Sequence, residues 1–301
     1  MAVEIGTATS YLDLLNKLKT FITTNVDLVA AGQEWVTLRD DGTDMIFKGP
    51  GLSSTEEIFV GFKPYAKPST DTYSIELAAF TGYTVGNQYD DQPGRINSKD
   101  AYLPGWTSTT PYWFIANGQR IIIISKVSTT YQSMYIGKFF PYGTPNQYPY
   151  PVFFGGMTNN ISERFSDAGP RFFPSGLSNE NYLYMPSGVL YSSTTGYPMS
   201  TTFSIFPFFL SRKGTTTTFA EVAPFDSGDV ILMQSVLFFG GNNAVSTPTE
   251  AAMLGELDGI FWINGVNQSS ESIVTYGGYD HLVFQDGGNT GVNDYAAVRL
   301  V

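Results

Sequence analysis

One stretch decides the fold class of this 301-residue chain: Tyr112-Trp-Phe-Ile-Ala-Asn-Gly-Gln-Arg-Ile-Ile-Ile-Ile-Ser-Lys-Val127. Two runs of aromatic and β-branched residues flank Asn117-Gly118, which is the strongest short-range signal for a β-hairpin. Because Asn and Gly both accept positive φ, we expect a type I′ turn there. The second run, from Arg120 to Val127, is apolar at nearly every position, which predicts a strand that is buried on both faces.

Shorter runs of the same kind lie on both sides of this hairpin. Two more hairpins are predicted around Asp41-Gly42 and Gly277-Gly278, and Asn264-Gly265 is read as another hairpin-type turn. Pro64 marks a turn or a sheet edge. A helical turn is predicted over Thr249 to Leu254. Further strands are predicted at Glu57 to Phe62, Tyr73 to Phe80, Val230 to Phe239, Gly259 to Ile263 and Tyr295 to Val301.

A single amphipathic helix is predicted near the N-terminus. Between Ser10 and Thr24 the apolar residues follow the spacing of one helix face. Ser10 is a suitable N-cap, and Asp13 in the first turn complements the helix dipole. The expected fold class is therefore α+β and β-dominated, with antiparallel, sandwich-like sheets and one N-terminal helix.

The centre of the chain has a different character. Residues 157–225 are rich in Gly, Ser, Thr and Pro, which predicts a long irregular insertion within a single β-rich domain of residues 1–301. Its many aromatic residues argue against disorder. Two interpretations stay open: an insertion that contacts neighbouring subunits, or a loop packed on its own domain.

The composition combines many aromatic residues with few charges. Aromatic residues make up 15% and charged residues 14%, against a usual charged share of about 25%. Either the surface is covered by neighbours in an assembly or the fold has a large aromatic core. On the first interpretation, the candidate interface residues are Phe139, Phe140, Tyr142, Tyr148, Tyr150, Phe153, Phe154, Phe172, Phe173, Tyr182 and Tyr184.

The charge and the cysteine count exclude several classes of function. A net charge of −11 disfavours binding to nucleic acids and to anionic membranes. The absence of cysteine excludes disulfides and thiolate metal sites. The first residues lack the basic and apolar regions of a signal peptide, and no apolar run reaches the roughly 18 residues of a membrane span.

The sequence contains no convincing active site. His281 is the only histidine, which argues against a histidine metal site and a Ser–His–Asp triad. The acidic turn Asp40-Asp41-Gly42-Thr43-Asp44 lacks the rest of a calcium-binding loop, so a hairpin turn is the preferred interpretation. We expect no enzyme activity, no cofactor and no metal. Glycan binding is the main alternative, since tyrosine and tryptophan rings stack on sugars.

Several segments together have a familiar pattern: Ile5 to Leu15 with Leu18 and Phe21, Tyr112 to Phe114, Arg120 to Ile124, Lys126 to Tyr131, Tyr142 to Pro151, Leu257 to Ile263, Gly277 to Asp280 and Asp294 to Arg299. These segments resemble a family of structural proteins from tailed-bacteriophage particles. The resemblance spans most of the chain and is weakest around residues 160–225.

The resemblance implies a virion protein of the tail or baseplate, which is made in the host cytoplasm and assembles as a ring. Its expected partners are copies of itself and other virion proteins. The resemblance carries over no catalytic or binding residues. Alternative functions are a head decoration or head–tail connector protein, or a receptor-binding module at the tail tip that recognises a host-surface glycan.

Overall fold

The structure is a computed structural model that describes residues 1–143, 152–166, 181–184, 188–193, 202–206, 232–240, 251–265, 267–285 and 295–300. The helices are α1 (Tyr11–Thr24) and α2 (Val26–Ala30). The strands are β1 (Ala2–Ala8), β2 (Val36–Asp40), β3 (Met45–Gly49), β4 (Ile58–Lys67), β5 (Thr72–Phe80), β6 (Ala101–Pro104), β7 (Thr110–Ala116), β8 (Arg120–Val127), β9 (Thr130–Lys138), β10 (Phe140–Pro141), β11 (Val152–Gly155), β12 (Asn181–Tyr184), β13 (Leu190–Ser193), β14 (Thr202–Phe206), β15 (Leu232–Gly240), β16 (Ala251–Ile263), β17 (Ile273–Tyr276), β18 (Tyr279–Gln285) and β19 (Tyr295–Arg299).

The described strands form two sheets. The large sheet has the order β1-β7-β8-β9-β11-β12-β13-β14-β15-β16-β19-β18-β17, with β10 attached to β16. The small sheet has the order β2-β3-β4-β5-β6. Within the described residues, β13 and β14 are the one parallel pair, and the other neighbours are antiparallel. The predicted class, a β-dominated α+β fold with antiparallel sheets, is confirmed.

The hairpin of β7 and β8 is buried on both faces, as its sequence predicts. Because successive side chains of a strand point to opposite faces, Ile121 and Ile123 enter one hydrophobic core while Ile122 and Ile124 enter another. All four isoleucines have an exposed fraction of 0%. The hairpin is therefore the middle layer of the molecule.

Each core has a different outer layer. The first core is completed by α1 and by the small sheet. The second is completed by the C-terminal strands β15, β16, β18 and β19, so that the large sheet folds back over itself. The ring centroids of Trp113 on β7 and Phe284 on β18 lie 5.1 Å apart across this second core. Helix α1 begins as predicted, with the Ser10 hydroxyl accepting a hydrogen bond from the Asp13 amide at 3.2 Å.

The turn between β7 and β8 differs from the predicted type I′ geometry. Neither Asn117 nor Gly118 has a positive φ. Instead, the Asn117 side-chain oxygen accepts hydrogen bonds from the amides of Gln119 and Arg120, each at 3.0 Å. This local side-chain bond closes the turn without left-handed backbone. Gly118 is needed for space, because a Cβ there would collide with the carbonyl oxygen of Gly51.

A buried polar cluster, the Arg120 cluster, joins this turn to the C-terminal strands. It consists of Asn117, Gln119, Arg120, Asp258 and Arg299. The Asp258 carboxylate accepts hydrogen bonds from Arg120 Nε at 3.1 Å, Asn117 Nδ2 at 2.8 Å and Arg299 Nη2 at 2.8 Å. Arg120 is 0% exposed and Asp258 2%. A buried charge needs such partners, since desolvation is otherwise very costly.

Two predictions in the C-terminal region are wrong. The described part of Thr249 to Leu254 is the beginning of β16 and not a helical turn, because its residues pair with β15. Asn264-Gly265 does not close a hairpin, since β16 pairs with β15 and β19 and not with β17, the next strand in the chain. Both outcomes depend on the order of the strands in the sheet, which a local sequence pattern does not reveal.

Pro64 lies inside β4, at the sheet edge that its sequence allowed. The pairing of β3 with β4 ends at Met45 and Phe62, while β4 continues against β5 as far as Lys67. Residue 64 therefore has a strand on only one side, where a proline is tolerated. Within 157–225, the described residues include the short strands β12, β13 and β14, which belong to the large sheet.

Replacing Asp258 with asparagine should destabilise the protein by roughly 3–5 kcal/mol, because Arg120 would keep a buried charge without its counter-charge. The measurement is the free energy of unfolding in urea. The exposed carboxylate of Asp91 provides a control, Asp91→Asn, for which we expect less than about 0.5 kcal/mol. Similar effects of the two substitutions would contradict a stabilising role for the Arg120 cluster.

Candidate functional site

Most of the predicted interface aromatics that the structure describes belong to the chain's own cores. The buried ones are Phe139, Phe153, Phe154, Tyr182 and Tyr184. Phe153 and Phe154 are neighbours on β11, and they point into opposite cores. Their side chains are covered within one copy of the chain. Tyr148, Tyr150, Phe172 and Phe173 lie outside the described residues.

The other two predicted interface residues lie beside β16. Phe140 belongs to β10 and is half-buried. Tyr142 is 54% exposed, its amide donates to the Leu254 carbonyl at 2.9 Å, and its hydroxyl lies 3.4 Å from a Glu256 carboxylate oxygen. Tyr142 thus has a fixed backbone and a ring that is open to solvent, which is the geometry that a contact residue requires.

The ends of the large sheet form a different kind of surface. In the described residues β1 pairs only with β7 at one end, and β17 pairs only with β18 at the other. Ile5 on β1 is 62% exposed and Ile273 on β17 is 59% exposed. Unpaired backbone groups with exposed apolar side chains are a template for pairing with another strand.

The hairpin of β17 and β18 ends in two exposed tyrosines. Gly277 and Gly278 have φ values of 60° and 85°, as a type I′ turn requires. They bring Tyr276 and Tyr279 directly opposite each other, with exposed fractions of 52% and 50%. The Arg299 guanidinium lies 5.4 Å from the Tyr279 ring centroid. The sequence predicted this turn, and the tyrosines beside it could have been identified from the same pattern.

A charged cluster lies on the small sheet, and the sequence contained no motif for it. We call it the Arg95 cluster; its members are Lys63, Glu76, Asp90, Arg95 and Asp100. Arg95 binds Glu76 at 2.8 Å, Asp100 at 2.6 Å and Asp90 at 3.3 Å. Lys63 binds Asp90 at 2.8 Å. These contacts fasten the segment after β5 onto the sheet.

Within the Arg95 cluster, Glu76 has an unusual pKa. Burial raises the pKa of Glu76 to about 7, and the neighbouring Asp100 carboxylate adds to the rise. The positive charges of Arg95 and Lys63 oppose it but do not outweigh it. Although a raised pKa is a feature of acid–base catalysts, Glu76 is 6% exposed. Its partner Arg95 has a side chain that is only 3% exposed, so the pair is closed to solvent.

His281 and Asp41 make contacts within the chain. His281 is 2% exposed, packs edge-on against Phe261, and has its Nδ1 3.0 Å from the Tyr279 carbonyl. Asp41 accepts hydrogen bonds from the amide and hydroxyl of Thr43, as the hairpin-turn interpretation of that acidic segment requires. No group of three or more histidine, aspartate or glutamate side chains in the described residues is arranged to hold a metal ion. None of the described helices is long and apolar enough to cross a membrane.

Replacing Glu76 with glutamine should remove one source of pH-dependent stability. The pKa of Glu76 rises on folding, from 4.5 to about 7, so the folded protein favours the protonated carboxyl group. The resulting contribution to the free energy of unfolding is fully present at low pH and is lost as the pH rises through about 7. The wild-type protein should therefore lose about 3 kcal/mol relative to Glu76→Gln between pH 4.5 and pH 8.

Urea unfolding of both proteins across this pH range provides the measurement. Glu57→Gln is a matched control, because Glu57 is exposed beside the small sheet. It should follow the wild-type pH dependence. Parallel pH profiles for wild type and Glu76→Gln would show that the pKa of Glu76 is not raised.

Comparisons of this chain with protein-family models and with curated proteins find no match.

Proposed function

We propose that this chain is a structural subunit of a tailed-bacteriophage particle, placed in the tail or baseplate, where it assembles with copies of itself and with other virion proteins. The observation that carries the proposal is the pair of sheet edges that have exposed isoleucines and no further partner strand among the described residues. An assembly subunit needs such surfaces, whereas a solitary protein normally protects them. The assignment to a phage particle rests on the resemblance of the sequence to virion proteins.

The chemistry of the described residues agrees with a structural function. The two charge clusters are centred on Arg95 and Arg120, whose side chains are buried and bind parts of the chain to one another. His281 is buried and packed against an aromatic ring. We therefore infer a protein that acts through surfaces and not through catalysis, without a cofactor. A net charge of −11 argues against a nucleic-acid partner.

Binding of a host-surface glycan at the tail tip is a second candidate function, and the exposed tyrosine pair favours it. Tyr276 and Tyr279 offer two rings at the tip of one hairpin, with the Asp280 carboxylate accepting a hydrogen bond from Thr275 at 2.7 Å beside them. A sugar can stack on such rings. Replacing Tyr279, which lies on β18 and outside the edge strand β17, with alanine should then weaken binding to host cells and leave particle assembly intact.

Electron microscopy of labelled particles tests the principal proposal. Antibody fragments raised against the purified chain would be applied to phage particles from cultures that produce it. We expect labels at the tail end, in a number per particle that reflects the ring symmetry. Labels on the head or neck would instead support the decoration or connector alternative. Particles without label, from which denaturing gels also show the chain to be missing, would refute the virion assignment.

A further inference from the structure

The two edge strands of the large sheet, β1 and β17, have regular backbones. β1 pairs with β7 over seven consecutive residues, from Ala2 to Ala8, without a register shift. β17 pairs with β18 over all four of its residues, again without a shift. In the described residues neither strand has a partner on its other side. Each edge therefore presents an uninterrupted row of backbone donors and acceptors.

Neither edge carries the usual protection against pairing. Edge strands are normally protected by charged side chains, prolines or β-bulges. The strand Ile273-Val-Thr-Tyr276 contains neither a charge nor a proline. The one charged residue of β1 is Glu4, whose carboxylate accepts a hydrogen bond from the Tyr112 hydroxyl at 2.7 Å and is thereby held against β7. Neither edge strand thus contains a proline or a β-bulge, and the one charge on β1 is bound to β7; the four residues of β17 set the length over which a second strand can pair.

The exposed apolar residues of the two edges complement each other. Ile5 and Ile273 are exposed to almost the same degree, 62% and 59%. In a paired sheet, directly opposite side chains lie about 4.5–5.5 Å apart, so each isoleucine could cover the other. A β1–β17 contact would remove both residues from water. It would also satisfy the outward backbone groups of the four residues of β17 and those of the facing part of β1.

We propose that β17 of one copy of this chain pairs with β1 of a second copy, with Ile5 and Ile273 in contact. This inference rests on the proposed function, for which it names the interface between copies. Because two different edges meet, every added copy leaves one edge of each kind free. Such a head-to-tail contact generates a ring if the rotation closes and a filament if it does not.

Two variants, each with one of the two edges blocked, distinguish this head-to-tail contact from a symmetrical contact in which identical edges pair. Ile5→Lys places a charge on β1 and leaves β17 intact, while Ile273→Lys does the reverse. In sedimentation velocity, the wild-type chain should form species larger than dimers as its concentration rises. Each variant alone should remain a monomer, whereas a 1:1 mixture should form a dimer and nothing larger, since only one compatible pair of edges remains.

A matched control is Val85→Lys, because Val85 is 85% exposed and lies in a turn between β5 and β6, which belongs to neither edge strand. It should assemble like the wild type. Circular dichroism and the melting temperature would confirm that all variants fold. Since copies with a net charge of −11 repel one another, we also expect stronger assembly when salt screens that repulsion.

Several results would overturn the proposal. They are a wild-type chain that stays monomeric at high concentration and salt, a single variant that still dimerises, and a mixture that forms no dimer. The particle-labelling experiment is independent of these results. Labelled particles together with a monomeric wild-type chain would refute the edge contact alone, and edge pairing without labelled particles would refute the virion assignment alone.

Discussion

The structure depends on a hairpin turn that cannot reach water. Because β7 and β8 are covered on both faces, the backbone groups of the turn must find partners inside the protein. The Asn117 carbonyl accepts from Trp35 Nε1 at 2.9 Å, and the Gly118 carbonyl accepts from the Gly51 amide at 2.7 Å. From the C-terminal strands, the Asp258 carboxylate accepts hydrogen bonds from the side chains of Asn117 and Arg120. The N-terminal and C-terminal parts of the chain thus meet at one turn.

This arrangement explains why a large sheet can serve two cores. The isoleucines of β8 supply apolar area to both sides, but apolar contacts alone do not determine how the layers are placed. The ion pair of Arg120 and Asp258, extended to Arg299, is directional and tolerates few alternative geometries. It specifies which strand of the outer layer lies over the hairpin turn, since any other placement would leave a buried charge unpaired.

Local features could be predicted from the sequence, and long-range ones could not. The hairpin of β7 and β8, the capped helix α1 and the Gly277-Gly278 turn all depend on neighbouring residues, and the structure contains them. The type I′ prediction at Asn117 is wrong because the Asn117 side chain closes the turn with local hydrogen bonds. The Gly118 carbonyl is in addition bound by the amide of Gly51, which is distant in the sequence. The Arg95 cluster was not predicted, because Glu76, Arg95 and Asp100 are brought together only by the pairing of β5 and β6 and by the folding of the intervening segment.

The aromatic residues show why composition alone could not locate an interaction surface. A core that is filled from both faces of a strand uses neighbouring aromatics, such as Phe153 and Phe154, in opposite directions. A surface covered by partners would produce the same density of rings in the sequence. Sheet edges are different, because a strand is recognised as an edge only when the strand order is known. Ile5 and Ile273 are ordinary residues in the sequence, and their position at the two ends of one sheet gives them their significance.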